Sequence, residues 1–221
     1  MRMTPEDHAR VATAIRDAES RTDGEVAVIV AASSDAYHDV VLHWASLLAL
    51  LPLALAAAWP ELLARAASAF SHWEEPSLRL MLTLLVGVTI LLFLAGRYGF
   101  AVPAVRMALT PDATKVRRVR RRAIMLFRTG TEQRTLTKTG VLLYLSLAEH
   151  HAEIVADSAI HGRTPPDSWG KAMAALIAGL KAGRPGEGIA HAVERIGVVL
   201  ATHFPHTGTD PNELPDRMIE L

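Results

Sequence analysis

The chain has 221 residues, half of them hydrophobic, and its 23 basic residues balance its 23 acidic ones. It contains no cysteine, which excludes disulfides, thiolate metal sites and cysteine nucleophiles. The mean hydropathy of +0.21 is raised by two central apolar runs, and without residues 40–105 roughly 155 residues remain, enough for one soluble domain with its own core.

The first 25 residues are polar and charged, which predicts no cleavable signal peptide. Thr4 as N-cap, Pro5 at the first helical position and the acidic Glu6 and Asp7 predict a helix over 4–21. Val11, Ala14, Ile15 and Ala18 give it one apolar stripe. The turn Thr22-Asp23-Gly24 follows, and Glu25–Ala31 is a β-branched run of the kind found in a buried central strand, ended by Ser33-Ser34-Asp35.

Residues 40–59 and 80–96 contain no formal charge. At 1.5 Å rise per residue they form helices of roughly 25–30 Å, close to the thickness of a bilayer's hydrocarbon. Trp44, Trp59 and Trp73 stand near their ends as interfacial anchors. The loop between them carries Arg65, with Arg79 just beyond, whereas Arg97, Arg106, Lys115, Arg117, Arg118, Arg120, Arg121 and Arg122 follow the second run. The positive-inside rule therefore places both soluble parts in the cytoplasm and the loop outside.

After the second run, Thr110-Pro111-Asp112 opens a basic helix to about Phe127, with Val116, Val119, Ala123, Ile124 and Phe127 on its apolar face. Gly140–Leu147 reads as a second buried strand, 148–151 as a tight connection and 152–157 as an antiparallel third strand. A loop leads to a helix over 167–182, with Trp169, Met173, Leu176, Ile177 and Leu180 inward, and then to a last helix over 187–203. An isolated strand cannot satisfy its backbone groups, so the first strand must pair with the later hairpin across the insertion. The organisation expected is a split α/β domain (1–39 and 106–205), a transmembrane hairpin (40–105) and an irregular tail (206–221).

The ordered pieces Thr22-Asp23-Gly24-Glu25, Thr139–Leu143, Glu153–Asp157 with Ile160, Trp169, Leu180–Gly188 and His203-Phe204-Pro205 resemble the TPM domain family. Asn212–Asp216 is similar to the tail of bacterial members with membrane insertions. The family includes thylakoid-lumen photosystem maintenance proteins, bacterial membrane proteins and an animal receptor-associated protein. The resemblance implies a small α/β/α sandwich with a mixed sheet, here interrupted by a two-helix transmembrane hairpin in a bacterial inner membrane. For function it implies either an assembly or maintenance factor with a protein partner, or a phosphatase, the activity attributed to plant members.

Candidate chemistry is thin. Glu25 and Asp157 stand at strand ends; on one edge of the sheet they could hold a hard cation such as Ca²⁺ or Mg²⁺. His161, four residues after Asp157, could complete an Asp/His site as a proton donor or acceptor. Ser146 and Ser158 lack the Gly-x-Ser-x-Gly setting of a nucleophile elbow, and Gly183–Gly188 follows a helix and contains Pro185, so it reads as a turn. Lys115, Arg117, Arg118, Arg120, Arg121 and Arg122 form a basic patch, read as lipid-facing or topology-determining and not as a nucleic-acid site.

Overall fold

The structure, a computed structural model, describes residues 3–70, 75–130, 139–207 and 214–221. Trp73, Asn212 and Glu213 lie outside them. The chain divides into two compact units, residues 36–111 and the remainder.

In the larger unit, α1 (Pro5–Glu19) starts at a capping box: the Asp7 N–H donates to Thr4 Oγ1 at 3.1 Å, and the Thr4 N–H donates to Asp7 Oδ2 at 2.9 Å. β1 (Glu25–Ala31), β2 (Gly140–Ser146), β3 (His151–Ala156) and β4 (Met218–Glu220) form a sheet in the order β3-β2-β1-β4. β1 runs parallel to β2, with Glu25 opposite Gly140 and Ala31 opposite Ser146; β3 returns antiparallel, with Val141 opposite Ala156. The pairing expected across the insertion is therefore present. The tail corrects the expectation of an irregular segment, because β4 pairs parallel with β1 from Val28↔Met218 to Val30↔Glu220 and closes the sheet's other edge. Three residues after a proline-containing stretch carry no legible alternation, so only the edge they cover discloses this strand.

Period-two alternation sends each strand's side chains to two layers. Val26, Val28, Val30, Val141, Leu143 and Leu145 meet α1, α8 (Gly170–Lys181) and α9 (Pro185–His203) on one face. On the other face Ile29, Ala31, Leu142 and Tyr144 meet Val119, Ala123 and Phe127 of α6 (Asp112–Gly130). The unit is an α/β/α sandwich with a mixed sheet. Two expected core positions are corrected: Val116 is 42% exposed and Ile177 is 44% exposed. Ile177 lies to the side of the Ala172 and Leu176 stripe, and Val116 lies one turn before Val119, the first buried residue of its helix. α8 and α9 cross where a Cβ on Gly179 would lie 2.3 Å from the Cα of Gly188, so this crossing requires glycine.

The smaller unit contains α2 (His38–Ala58), α3 (Pro60–Ser68), α4 (Leu78–Gly99) and α5 (Pro103–Leu109). α2 and α4 are each long and apolar enough to cross a membrane. They approach through small residues: a Cβ on Gly96 would lie 3.0 Å from the Ala45 Cα, and Ala45 and Ala49 are buried. Leu47, Leu50 and Leu51 of α2 and Leu82, Val86, Ile90 and Leu91 of α4 are exposed. α3 lies within the segment expected to be the loop between the two runs, and α5 within the stretch after the second run for which the sequence predicts no element.

Candidate functional site

The two ends of the sheet carry opposite chemistry. At the end where β1 and β2 begin and β3 finishes, carboxylates gather. Glu25 and Asp157 both lie here, on either side of Gly140, and both are buried. Glu25 Oε2 accepts the Leu214 N–H at 3.2 Å, and Asp157 Oδ2 accepts the Gly140 N–H at 3.4 Å. Asp157 then leads into a single helical turn, α7 (Ser158–His161), where a loop was expected. His161 is exposed at its end, with its N–H on the Asp157 carbonyl at 3.1 Å.

Two acids that pattern reading did not select join them, Glu19 and Asp216, which line a groove of 190 Å³ with Arg16, Thr22, Glu25 and His206. Glu19 Oε1 accepts the Val26 N–H at 2.9 Å. Burial pushes its carboxyl up to about 8; the Val26 bond opposes the rise, and the charges of Glu25 and Asp216 add to it. Nearby, Asp23 binds the Thr207 N–H at 2.8 Å and the Thr207 hydroxyl at 2.7 Å, with His206 at 3.1 Å, and these bonds hold its carboxyl below the usual range.

A Ca²⁺ ion takes roughly six to eight oxygens. Among the described residues no three Asp, Glu, His or Cys side chains come together in an arrangement that could hold a metal ion. Glu25 and Asp157 already accept backbone N–H groups. Each of the two carboxylates thus has one oxygen on a backbone N–H group of its own fold.

The opposite end, where the parallel strands finish, is where ligands bind in open α/β sheets. Here Glu149, 4% exposed, sits beneath the loop that follows β1. Its Oε1 accepts the Ser34 N–H at 2.9 Å and the Ser33 hydroxyl at 3.2 Å, and its Oε2 accepts the Ser146 hydroxyl. The Ser34 hydroxyl also meets the Tyr144 hydroxyl at 3.0 Å. Burial, reinforced by the Glu149 charge, raises the Tyr144 phenol's pKa and keeps it a neutral hydrogen-bonding group.

Above this braced loop stands the basic helix α6, in which the six cations from Lys115 to Arg122 do not share one environment. Lys115 pairs with Asp112 at 3.0 Å and Arg120 with Glu153 at 3.6 Å. Arg118 and Arg121 both reach Asp35 Oδ2, at 3.2 and 3.4 Å. Arg117 bonds the Thr114 hydroxyl at 3.3 Å. Arg118, Arg121 and Arg122 line a pocket of 500 Å³ together with Ser33, Ser34 and Asp35. The spacing Arg118, Arg121, Arg122 is legible as one helix face; the serines, Asp35 and Glu149 carried no sequence signal beyond turn chemistry.

A family model described as the TPM domain matches residues 104–199. Over that stretch the chain is similar to the TPM domain family. Among solved structures, the NMR structure of the BA42 protein from the psychrophilic bacterium Bizionia argentinensis is similar, with a TM-score of 0.59 and 18% identity over 100% of this chain and 97% of that one. At that identity the likeness shows a shared fold. No curated protein matches the sequence. The matched stretch of the TPM domain includes α6, β2, β3 and the whole of Glu149's turn.

Proposed function

We propose that the protein is a membrane-anchored TPM-domain module that holds a protein partner within a membrane complex, as an assembly or maintenance factor. In this reading α2 and α4 span a bacterial inner membrane, and the sandwich stands on the cytoplasmic side. The observation that carries it is the pair of 21- and 22-residue helices with apolar side chains exposed along their length. Such surface is unfavourable in water at about 25 cal/mol per Å² and is matched by lipid. The orientation rests on the cations that follow α4. A Ca²⁺- or Mg²⁺-dependent phosphatase would rest on Glu25, Asp157 and His161; the carboxylates' existing amide bonds favour the binding module.

The absence of cysteine makes the test clean, because each introduced thiol is alone. In intact cells an impermeant maleimide is expected to label Ser68→Cys, between the helices, and to spare Ser20→Cys on the sandwich. Release of the protein by alkaline carbonate would overturn the anchor, and the reverse labelling would overturn the orientation. Gentle detergent extraction is expected to co-purify a stoichiometric partner; a monodisperse, partner-free protein would overturn the binding role.

A further inference from the structure

The pocket above the Glu149-braced loop has an unusual charge for a protein of zero net charge. Three guanidiniums, from Arg118, Arg121 and Arg122, face a single lining carboxylate, Asp35. Two of those guanidiniums converge on one oxygen, Asp35 Oδ2, at 3.2 and 3.4 Å. An internal anion thus occupies the position at which an external oxyanion would be held. Arg122 makes no ion pair among the described residues. Glu149 does not line the pocket; its oxygens are engaged by the Ser34 amide and by the Ser33 and Ser146 hydroxyls. That bracing holds the loop at the finishing end of β1, on the side of the sheet where α/β folds receive ligands.

We propose that Ser33, Ser34, Arg118, Arg121 and Arg122 form a binding pocket for a phosphate group, with Asp35 as the internal anion that the phosphate displaces. Guanidinium forks match phosphate oxygens in pairs, and the three that line this pocket exceed what the two oxygens of a carboxylate can engage, whereas a phosphate monoester presents three terminal oxygens. The phosphate can come from a lipid headgroup or from a soluble phosphate. Only Ala36 and Tyr37 separate Asp35 from the start of the apolar α2 at His38, at most ~11 Å of chain. The lipid source rests on the membrane reading above, whereas the pocket does not.

The test uses the full chain in an uncharged maltoside detergent, following thermal unfolding against two probes, inorganic phosphate and dihexanoyl phosphatidic acid. Saturable stabilisation is expected. Arg118→Gln and Arg122→Gln should each weaken the apparent affinity roughly tenfold, the loss expected for one charge-assisted contact. Asp35→Asn should tighten it several-fold, because it removes the competing anion while keeping the side chain's shape. The opposite sign separates a binding role from a general loss of structure. Phosphatidic acid saturating well below inorganic phosphate assigns the lipid headgroup as the source; equal midpoints assign a soluble phosphate. No saturable shift with either probe overturns the proposal, as does weaker binding in Asp35→Asn. If the glutamine variants do not fold, Arg122→Lys, which keeps the charge but loses the fork, decides the matter with Asp35→Asn: affinity unchanged in both overturns the pocket.

Discussion

Both ends of this sheet gather charged groups, yet they do different things with them. At the acidic end, carboxylates are buried against backbone amides: Glu25 on Leu214, Asp157 on Gly140 and Glu19 on Val26. Their bonding is internal, and it ties the tail and the strand starts together. At the arginine end the buried carboxylate, Glu149, lies under the loop, and the cations stand above it around an open pocket. A charge engaged by main-chain donors on its own fold stabilises that fold. A surplus of like charges with room between them is available to a ligand. The comparison teaches that the number of acids or bases at a sheet end is a poorer guide to function than the groups they already bind.

The largest effect expected is at the arginine end. Glu149→Ala removes the acceptor of the Ser34 amide and of two hydroxyls, and should cost about 2–4 kcal/mol in stability, read by thermal unfolding, together with any phosphate-induced stabilisation. If Glu149→Ala unfolds no earlier than the parent chain, the contrast between a braced loop and an open pocket fails.

Glu19→Gln is expected to act in the other direction. The Glu19 carboxyl, ordinarily near 4.5, rises to about 8 in the folded chain. Between those values the folded protein holds a proton that the unfolded chain has released, so stability falls as pH rises from about 4.5 to about 8 and levels off above. Gln keeps an acceptor for the Val26 amide and cannot ionise. It should therefore raise stability at pH 8 by about 2 kcal/mol, or roughly 4–8 °C, and flatten the dependence between pH 5 and 8. An unchanged pH profile would mean that Glu19 is solvated and that the acidic end is looser than its bonding implies.

A titration with Ca²⁺, Mg²⁺ and Mn²⁺ sharpens the comparison further. Because Glu25 and Asp157 are engaged internally, less than about 1 °C of saturable stabilisation is expected at millimolar ion. A larger shift abolished by Asp157→Asn would restore the metal reading and make the acidic end a ligand site too. The smallest effect belongs to the exposed pair of His8 and Glu220, 2.6 Å apart with side chains 41% and 48% exposed. Glu220→Gln should change stability by less than about 0.5 kcal/mol.

Much of the fold was legible because its signals are local. The capping residues of α1, the β-branched run of β1, the alternation in β2 and the two charge-free runs each act through neighbours within a few positions. Even the pairing of β1 with the later hairpin followed from a general need, that a buried strand must satisfy its backbone; its parallel direction and its place beside β2 did not. The failures share one cause. Val116 and Ile177 fit their helical stripes and yet are exposed, because a stripe gives a direction and not the width of the surface it meets. β4 was missed because a three-residue edge strand has too little length to show a period. At the candidate site, the basic face of α6 was plain from its spacing, whereas Glu149 looked like a turn residue.

By itself the sequence determined the long helices and the first three strands, the three-layer class, the apolar hairpin helices and the concentration of arginines on one helix. Only the tertiary structure decided that Asp35 would meet Arg121 across 86 positions, that Ser33 would meet Glu149 across 116, and that Glu25 would bind the amide of Leu214 across 189. A residue's own chemistry states what it can bind, and local periodicity states which way it faces. Which partner it meets at such distances depends on how the sheet orders its strands, and that is settled only when the whole core packs.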